Sequence, residues 1–118
     1  MRFMLSEREE QALADMRDNC LLAAEWSAGL SELEFELDRK TFYAVTRCLE
    51  IISEASRRLS DELLERYPAY GWRRMQDAGN FYRHAYHGVV ERRVLTSVRQ
   101  DLPPLLAIAE RELATRER

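Results

Sequence analysis

Ten residues of this chain, Gly79-Asn80-Phe81-Tyr82-Arg83-His84-Ala85-Tyr86-His87-Gly88, gather an amide, a guanidinium, two imidazoles and two phenols. With no proline between the two glycines, the stretch predicts the end of a helix closed by Gly88. On a helix Asn80 and His84 stand four apart and share a face, as do Arg83 and His87, and His84 and His87 pair at spacing three. An imidazole moves protons near neutral pH, because its ordinary pKa of about 6.5 keeps both forms available. A guanidinium offers a fixed fork of donors matched to an oxyanion such as a phosphate. Proton transfer beside a bound anion is therefore the chemistry these residue types permit. A metal centre is not expected: His84 and His87 lack a nearby cysteine, and Asp77 is poorly placed as a third ligand. No glycine-rich phosphate loop appears, and no cofactor is expected.

The surroundings of this cluster are basic although the chain as a whole is not. Residues 71–100 hold Arg73, Arg74, Arg83, Arg92, Arg93 and Arg99 against Asp77 and Glu91, within a chain of net charge −3. The overall charge argues against indiscriminate nucleic-acid binding. The local excess either attracts phosphates, with Arg92 and Arg93 as candidate contacts, or is a solvated charged face.

The elements that must position the cluster are helical throughout. Ser6-Glu7-Arg8-Glu9 is a capping box opening a first helix, with Leu13, Met16, Cys20 and Ala23 or Ala24 on one face and an end near Gly29. Ser31-Glu32-Leu33-Glu34 repeats the signature and opens a short helix or turn. Asp38 caps a long helix predicted to run to about Tyr67, stopped by Pro68. Along it Phe42, Val45, Leu49, Ile52, Ser56, Leu59 and Leu63 alternate steps of three and four, a seam that suits a bundle interior, a helix-mediated dimer, or both. Trp72, Met75 and Tyr82 mark the helix that carries the cluster. A fifth helix through Val94, Leu95 and Val98 is expected to be interrupted by Pro103 and Pro104, with Asp101 capping a restart through Leu105, Ile108 and Leu113.

No strand-like alternation, internal repeat or low-complexity stretch interrupts this pattern, so residues 1–118 read as one all-α domain, an antiparallel bundle of about five helices. The 46% hydrophobic and 33% charged composition is that of a globular protein, with no apolar run of the ~18 to 20 residues that span a bilayer. The N-terminus lacks the apolar core of a signal peptide, which makes a cytoplasmic location the expectation. Cys20 and Cys48 fit no metal spacing and read as buried free thiols, with a disulfide as the alternative.

Several blocks of the chain resemble one known family. Asp38-Arg39-Lys40-Thr41, Ala44-Val45 and Leu49-Glu50-Ile51-Ile52-Ser53-Glu54-Ala55-Ser56-Arg57-Arg58-Leu59 are similar to the long helix of HepT-like proteins of the HEPN superfamily. Trp72, the Asn80–Gly88 segment and Asp101-Leu102-Pro103-Pro104-Leu105 continue the match in order and spacing. The resemblance implies a HEPN helical bundle, commonly a homodimer, that cleaves RNA without a metal by an arginine and a histidine. It also implies a toxin paired with a MNT-type nucleotidyltransferase antitoxin, which attaches AMP to a tyrosine two residues after the catalytic histidine. In this chain His84 matches that histidine, Asn80 the polar residue four before it, and Tyr86 the modifiable tyrosine. The arginine's usual place is Gly79, so the strict motif is incomplete.

Arg83 is the candidate to compensate, as the phosphate clamp. It follows Gly79 by one turn, and helical side chains lean toward the N-terminus, into the space that Gly79 leaves. The bland alternative has Arg83 paired with a surface carboxylate and Gly79 permitting close helix packing. His87 is a candidate second proton-transfer group, or an exposed residue at the helix end. Tyr86 lies about 200° around an ideal helix from His84, placed to face a partner, or to pack with Tyr82. A catalytically inert HEPN adaptor, binding a nucleotidyltransferase or a nucleotide, is the alternative that Gly79 motivates.

Overall fold

Side-chain caps fix where the chain enters its first three helices. Ser6 opens α1 (Glu7–Ser27): its hydroxyl accepts the Glu9 N–H at 3.1 Å while Glu9 Oε1 accepts the Ser6 N–H at 3.2 Å. Ser31 repeats the arrangement with Glu34 to open α2 (Glu32–Leu37). Asp38 opens α3 (Arg39–Ser56), accepting from the Thr41 N–H at 3.0 Å and the Thr41 hydroxyl at 2.8 Å. The computed structural model describes residues 4–84 and 87–116, with the side chains of Arg83, His84 and Arg116 outside that description. The remaining elements are α4 (Asp61–Glu65), α5 (Trp72–His84), α6 (Val89–Thr96) and α7 (Leu102–Arg116), a π-helical turn at Ser97–Asp101 joining the last two. Among the described residues all regular structure is helical, as the sequence predicts.

The long helix ends earlier than its heptad pattern implies. α3 stops at Ser56 rather than near Tyr67, and a turn leads to Ser60, whose hydroxyl caps α4 by accepting the Leu63 N–H at 3.2 Å. A distant residue holds this break in place. Glu9 Oε2 accepts from both the Ser60 N–H, at 3.0 Å, and the Ser60 hydroxyl, at 2.7 Å. One carboxylate thus serves the starts of two helices. Burial pushes its pKa up, but the hydrogen bonds from Ser60 and Ser6 outweigh that and hold it below the ordinary 4.5. The apolar register survives the turn: Phe42, Val45, Leu49, Ile52, Ser56, Leu59 and Leu63 are all buried.

That seam lies wholly within the protomer. α1 packs against α3 and α7, and α3 packs against α5. Leu13, Met16, Cys20 and Ala23 of α1 meet the seam, and Leu102, Leu105 and Ala109 of α7 complete the same core. Cys20 and Cys48 are free and buried, and burial, reinforced by the neighbouring Cys48 thiol, pushes Cys20 up to about 12. Trp72 is buried with its indole N–H donating to the Tyr67 carbonyl at 3.1 Å, whereas Trp26 is exposed. Among the described residues no helix is long and apolar enough to cross a membrane.

Pro103 and Pro104 do not break the last helix as expected. The chain stays helical from Val89 to Arg116, and the turn before the prolines widens instead, the Leu102 N–H bonding to the Ser97 carbonyl five residues back. A proline within an α-helix lacks a donor and crowds the carbonyl four residues earlier; the wider turn accommodates both problems. The Asp101 carbonyl accepts the Tyr70 hydroxyl at 3.0 Å and its carboxylate pairs with Arg74 at 2.6 Å, so Asp101 anchors the π-helical turn rather than capping a restart.

Candidate functional site

The α3–α5 contact is built from small and polar groups, which brings the two helices together at the cluster. Ser53 donates its hydroxyl to the Gln76 carbonyl at 2.9 Å and accepts the Gly79 N–H at 3.4 Å. Arg57 Nε donates to the same Gln76 carbonyl at 3.0 Å, and Gln76 Nε2 donates to the Ser56 carbonyl at 3.4 Å. A Cβ placed on Gly79 would lie 3.5 Å from Ser53 Oγ, an ordinary contact. Helix packing alone therefore does not demand glycine at position 79.

Beside this contact a cleft of about 190 Å³ is lined by Arg47, Glu50, Ser53, Glu54 and Arg57 of α3 and its end, and by Gly79 and Asn80 of α5. Asn80 is exposed there. By helical register Arg83 and His84 follow Gly79 and Asn80 one turn later, in the last turn of α5. The side chains of Arg83 and His84, and Tyr86 altogether, lie outside the described residues.

His87, in the turn after α5, is two-thirds exposed. Its Nδ1 stands 2.8 Å from Oε2 of Glu91, and its Nε2 is 4.0 Å from Oε1 of Glu36. Glu91 is almost fully buried and is the hub of this turn. Its two oxygens accept the Gly88 N–H at 3.1 and 3.0 Å, and Arg39 Nη1 approaches Oε2 at 3.4 Å. Gly88 has φ +90°, a left-handed conformation that suits glycine, so chain and carboxylate together fix how α6 leaves the end of α5. Arg39 is held in turn by the Glu36 carbonyl, at 2.9 Å, and by the faces of Phe42 and Tyr43. Glu36, His87 and Glu91 place one nitrogen and two oxygens within 4.8 Å of one another, a grouping that sequence spacing around the histidines did not reveal. Those Glu91 oxygens already serve Gly88, His87 and Arg39, and the guanidinium opposes a cation, so the arrangement acts as a latch on the turn.

The basic region divides on inspection. Arg74 is paired with Asp101, and Arg99 donates to the Leu30 carbonyl. Arg73, Arg92 and Arg93 are exposed, Arg93 with its guanidinium 4.9 Å from the ring centre of Phe81. Arg93 and Phe81 border a second cleft of about 350 Å³ on the opposite side of α5, completed by Tyr82, Ser97, Gln100 and the Arg74–Asp101 pair. Tyr82 donates to Ser97 Oγ at 3.2 Å, and burial pushes its phenol pKa up. Sequence reading missed Arg47 and Arg57 as neighbours of Asn80. The available signal was a charged stripe on α3, Arg47-Glu50-Glu54-Arg57, spaced by three, four and three beside the apolar seam.

Comparison with known proteins identifies a family. The family model described as "Ribonuclease HepT-like" matches residues 10–112. The "Probable ribonuclease HepT" of Thermococcus cleftensis is 34% identical over 93 residues, 79% of this chain and 84% of that protein. A Methanocaldococcus jannaschii protein provisionally named an RNase is 30% identical over 102 residues, 86% of this chain and 94% of its own length. No solved structure gives a significant match.

Proposed function

The chain belongs to the HepT-like ribonuclease family, and from that premise we propose that it is a metal-independent endoribonuclease, the toxin of a toxin–antitoxin pair. The observation that carries this reading is Asn80 and His84 one turn apart at the end of α5, beside an open cleft that holds two guanidinium groups. In the proposed reaction the 2'-hydroxyl beside a phosphate attacks phosphorus, giving a 2',3'-cyclic phosphate and a 5'-hydroxyl. One proton leaves the attacking hydroxyl and one must reach the departing 5'-oxygen. His84 serves as the general base or acid, Asn80 orients it or the phosphate, and an arginine stabilises charge on the phosphate oxygens. His87, held at Nδ1 by Glu91 but open toward solvent, is the candidate for the second proton. Arg92 and Arg93, exposed on α6, are candidate contacts for RNA phosphates.

Purified protein incubated with RNA in excess EDTA is expected to yield 2',3'-cyclic phosphate ends. Absence of cleavage under those conditions would overturn the ribonuclease reading. Gly79 specifically favours the second reading, an inert adaptor for a nucleotidyltransferase or a nucleotide. The two separate on Gly79→Arg, whose Cβ the site accommodates. An inactive wild type beside an active Gly79→Arg variant identifies the adaptor.

Regulation in this proposal falls to a MNT-type nucleotidyltransferase that attaches AMP to Tyr86, in the cytoplasm. The added phosphate would bring negative charge toward Arg92 and Arg93 and compete with RNA. We also propose a homodimer. With the α3 seam spent inside the protomer, the apolar surface for it comes from elsewhere: Leu33 and Leu37 of α2, Tyr43 of α3 and Val89 of α6 are exposed on elements that lie together. Light scattering at micromolar concentration is expected to give twice the 13.9 kDa chain mass, and a species of 13.9 kDa alone would refute the dimer.

A further inference from the structure

The cleft between α3 and α5 contains a cation that no other described residue engages. Arg47 is exposed, and among the described residues it makes no hydrogen bond or ion pair, unlike Arg57, which is tied to the Gln76 carbonyl. It shares the cleft wall with Asn80 and with Gly79, which stands where the family resemblance places an arginine. We propose that Arg47 is the phosphate-binding residue of this site, reaching in from α3 to supply the guanidinium that position 79 lacks. This rests on the ribonuclease reading and names one of its working residues.

Three observations carry the assignment. First, Gly79 leaves the wall open where a side chain would otherwise project, and the resulting space of about 190 Å³ exceeds that of several waters, at roughly 30 Å³ each. Second, Ser53 fixes the two helices at this level through the Gln76 carbonyl and the Gly79 N–H, so the α3 stripe and the α5 cluster keep one register. Third, Glu50 and Glu54 balance the charges of Arg47 and Arg57, so the cleft does not gather anions by net field. What it offers is directional: an unengaged guanidinium fork that pairs bidentately with phosphate oxygens. A structural role for Arg47 would instead require a partner in the fold.

The experiment compares wild type, Arg47→Gln, and Arg47→Gln combined with Gly79→Arg. It measures RNA cleavage and, separately, the salt dependence of binding to a 2'-O-methyl oligonucleotide that the enzyme cannot cleave. Arg47→Gln is expected to melt as the wild type does and to lower cleavage about 10²- to 10³-fold, the usual loss for one transition-state donor. Its binding slope against log salt should shrink by about 0.7, one phosphate contact on a single strand. Adding Gly79→Arg should recover at least tenfold of the lost cleavage. Unchanged cleavage in Arg47→Gln, an unchanged salt slope, or no recovery from Gly79→Arg would each overturn the proposal. If the wild type binds the oligonucleotide but cleaves no RNA, the ribonuclease reading fails by itself. The salt slope then decides the phosphate site: a shallower slope in Arg47→Gln upholds it and an equal slope removes it.

Discussion

Replacing His84 with alanine is expected to cut RNA cleavage by about 10³-fold while leaving the protein folded. Positioned proton transfer contributes roughly 10²- to 10⁴-fold to a reaction of this kind, so the central value corresponds to about 4 kcal/mol of transition-state stabilisation. The position supports a clean reading of the variant. His84 stands in the last turn of α5, more than two turns beyond the buried Trp72 and Met75. Initial rates on a defined RNA, with thermal melting as a control, measure the effect. The pH profile adds a second readout. Removing a general acid or base removes its limb of the pH–rate profile, so His84→Ala should flatten one limb of the wild-type curve. Equal rates in the two proteins would remove His84 from the mechanism and move attention to His87. There the Glu91 carboxylate holds Nδ1 and orients the ring, leaving Nε2 as the atom to move a proton.

The parts of this molecule that were legible in the sequence are those set by neighbours along the chain. The caps at Ser6, Ser31 and Asp38 each satisfy N–H groups three residues ahead, so spacing alone reveals them. The buried seam of α3 was equally plain, because helical period and burial coincide. Its end was not. The register continues through Leu59 and Leu63 across a turn that depends on Glu9, 51 residues away in sequence from Ser60. The prolines of α7 misled for a related reason. A π-helical turn absorbs them, and Tyr70 in the loop before α5 and Arg74 of α5 secure that turn. At the candidate site the cluster itself was visible, since Asn80 and His84 lie on one helix. Arg47 was not, because its meaning comes only from α3 lying against α5 at Ser53 and Gly79. Likewise the His87–Glu91 pair has readable spacing, but Glu36 and Arg39 join it only through the packing of α2 and α3 against α6.

That last grouping yields the largest expected effect on stability. Glu91 is 1% exposed and meets the Gly88 N–H, His87 Nδ1 and Arg39 Nη1 with its two oxygens. Truncation to alanine leaves the Gly88 N–H without its acceptor and opens the space the side chain filled. Gly88 is only part-buried, so losing its acceptor falls at the low end of the about 1–3 kcal/mol for an unsatisfied donor, and lost packing of the buried Glu91 side chain adds to it. Arg39, by contrast, is half-exposed and can return to water, so the full penalty of a stranded buried charge does not apply. The expected loss for Glu91→Ala is therefore about 2–3 kcal/mol, a fall in melting temperature on the order of 10 °C for a domain of this size. Glu91→Gln keeps an oxygen for Gly88 and should lose less than half as much. Thermal unfolding followed by circular dichroism tests the pair. An alanine variant that melts with the wild type would show that Gly88 holds the α5–α6 turn by its backbone alone. The expected order, alanine well below glutamine and glutamine below wild type, would locate the latch in the acceptor oxygen more than in the charge.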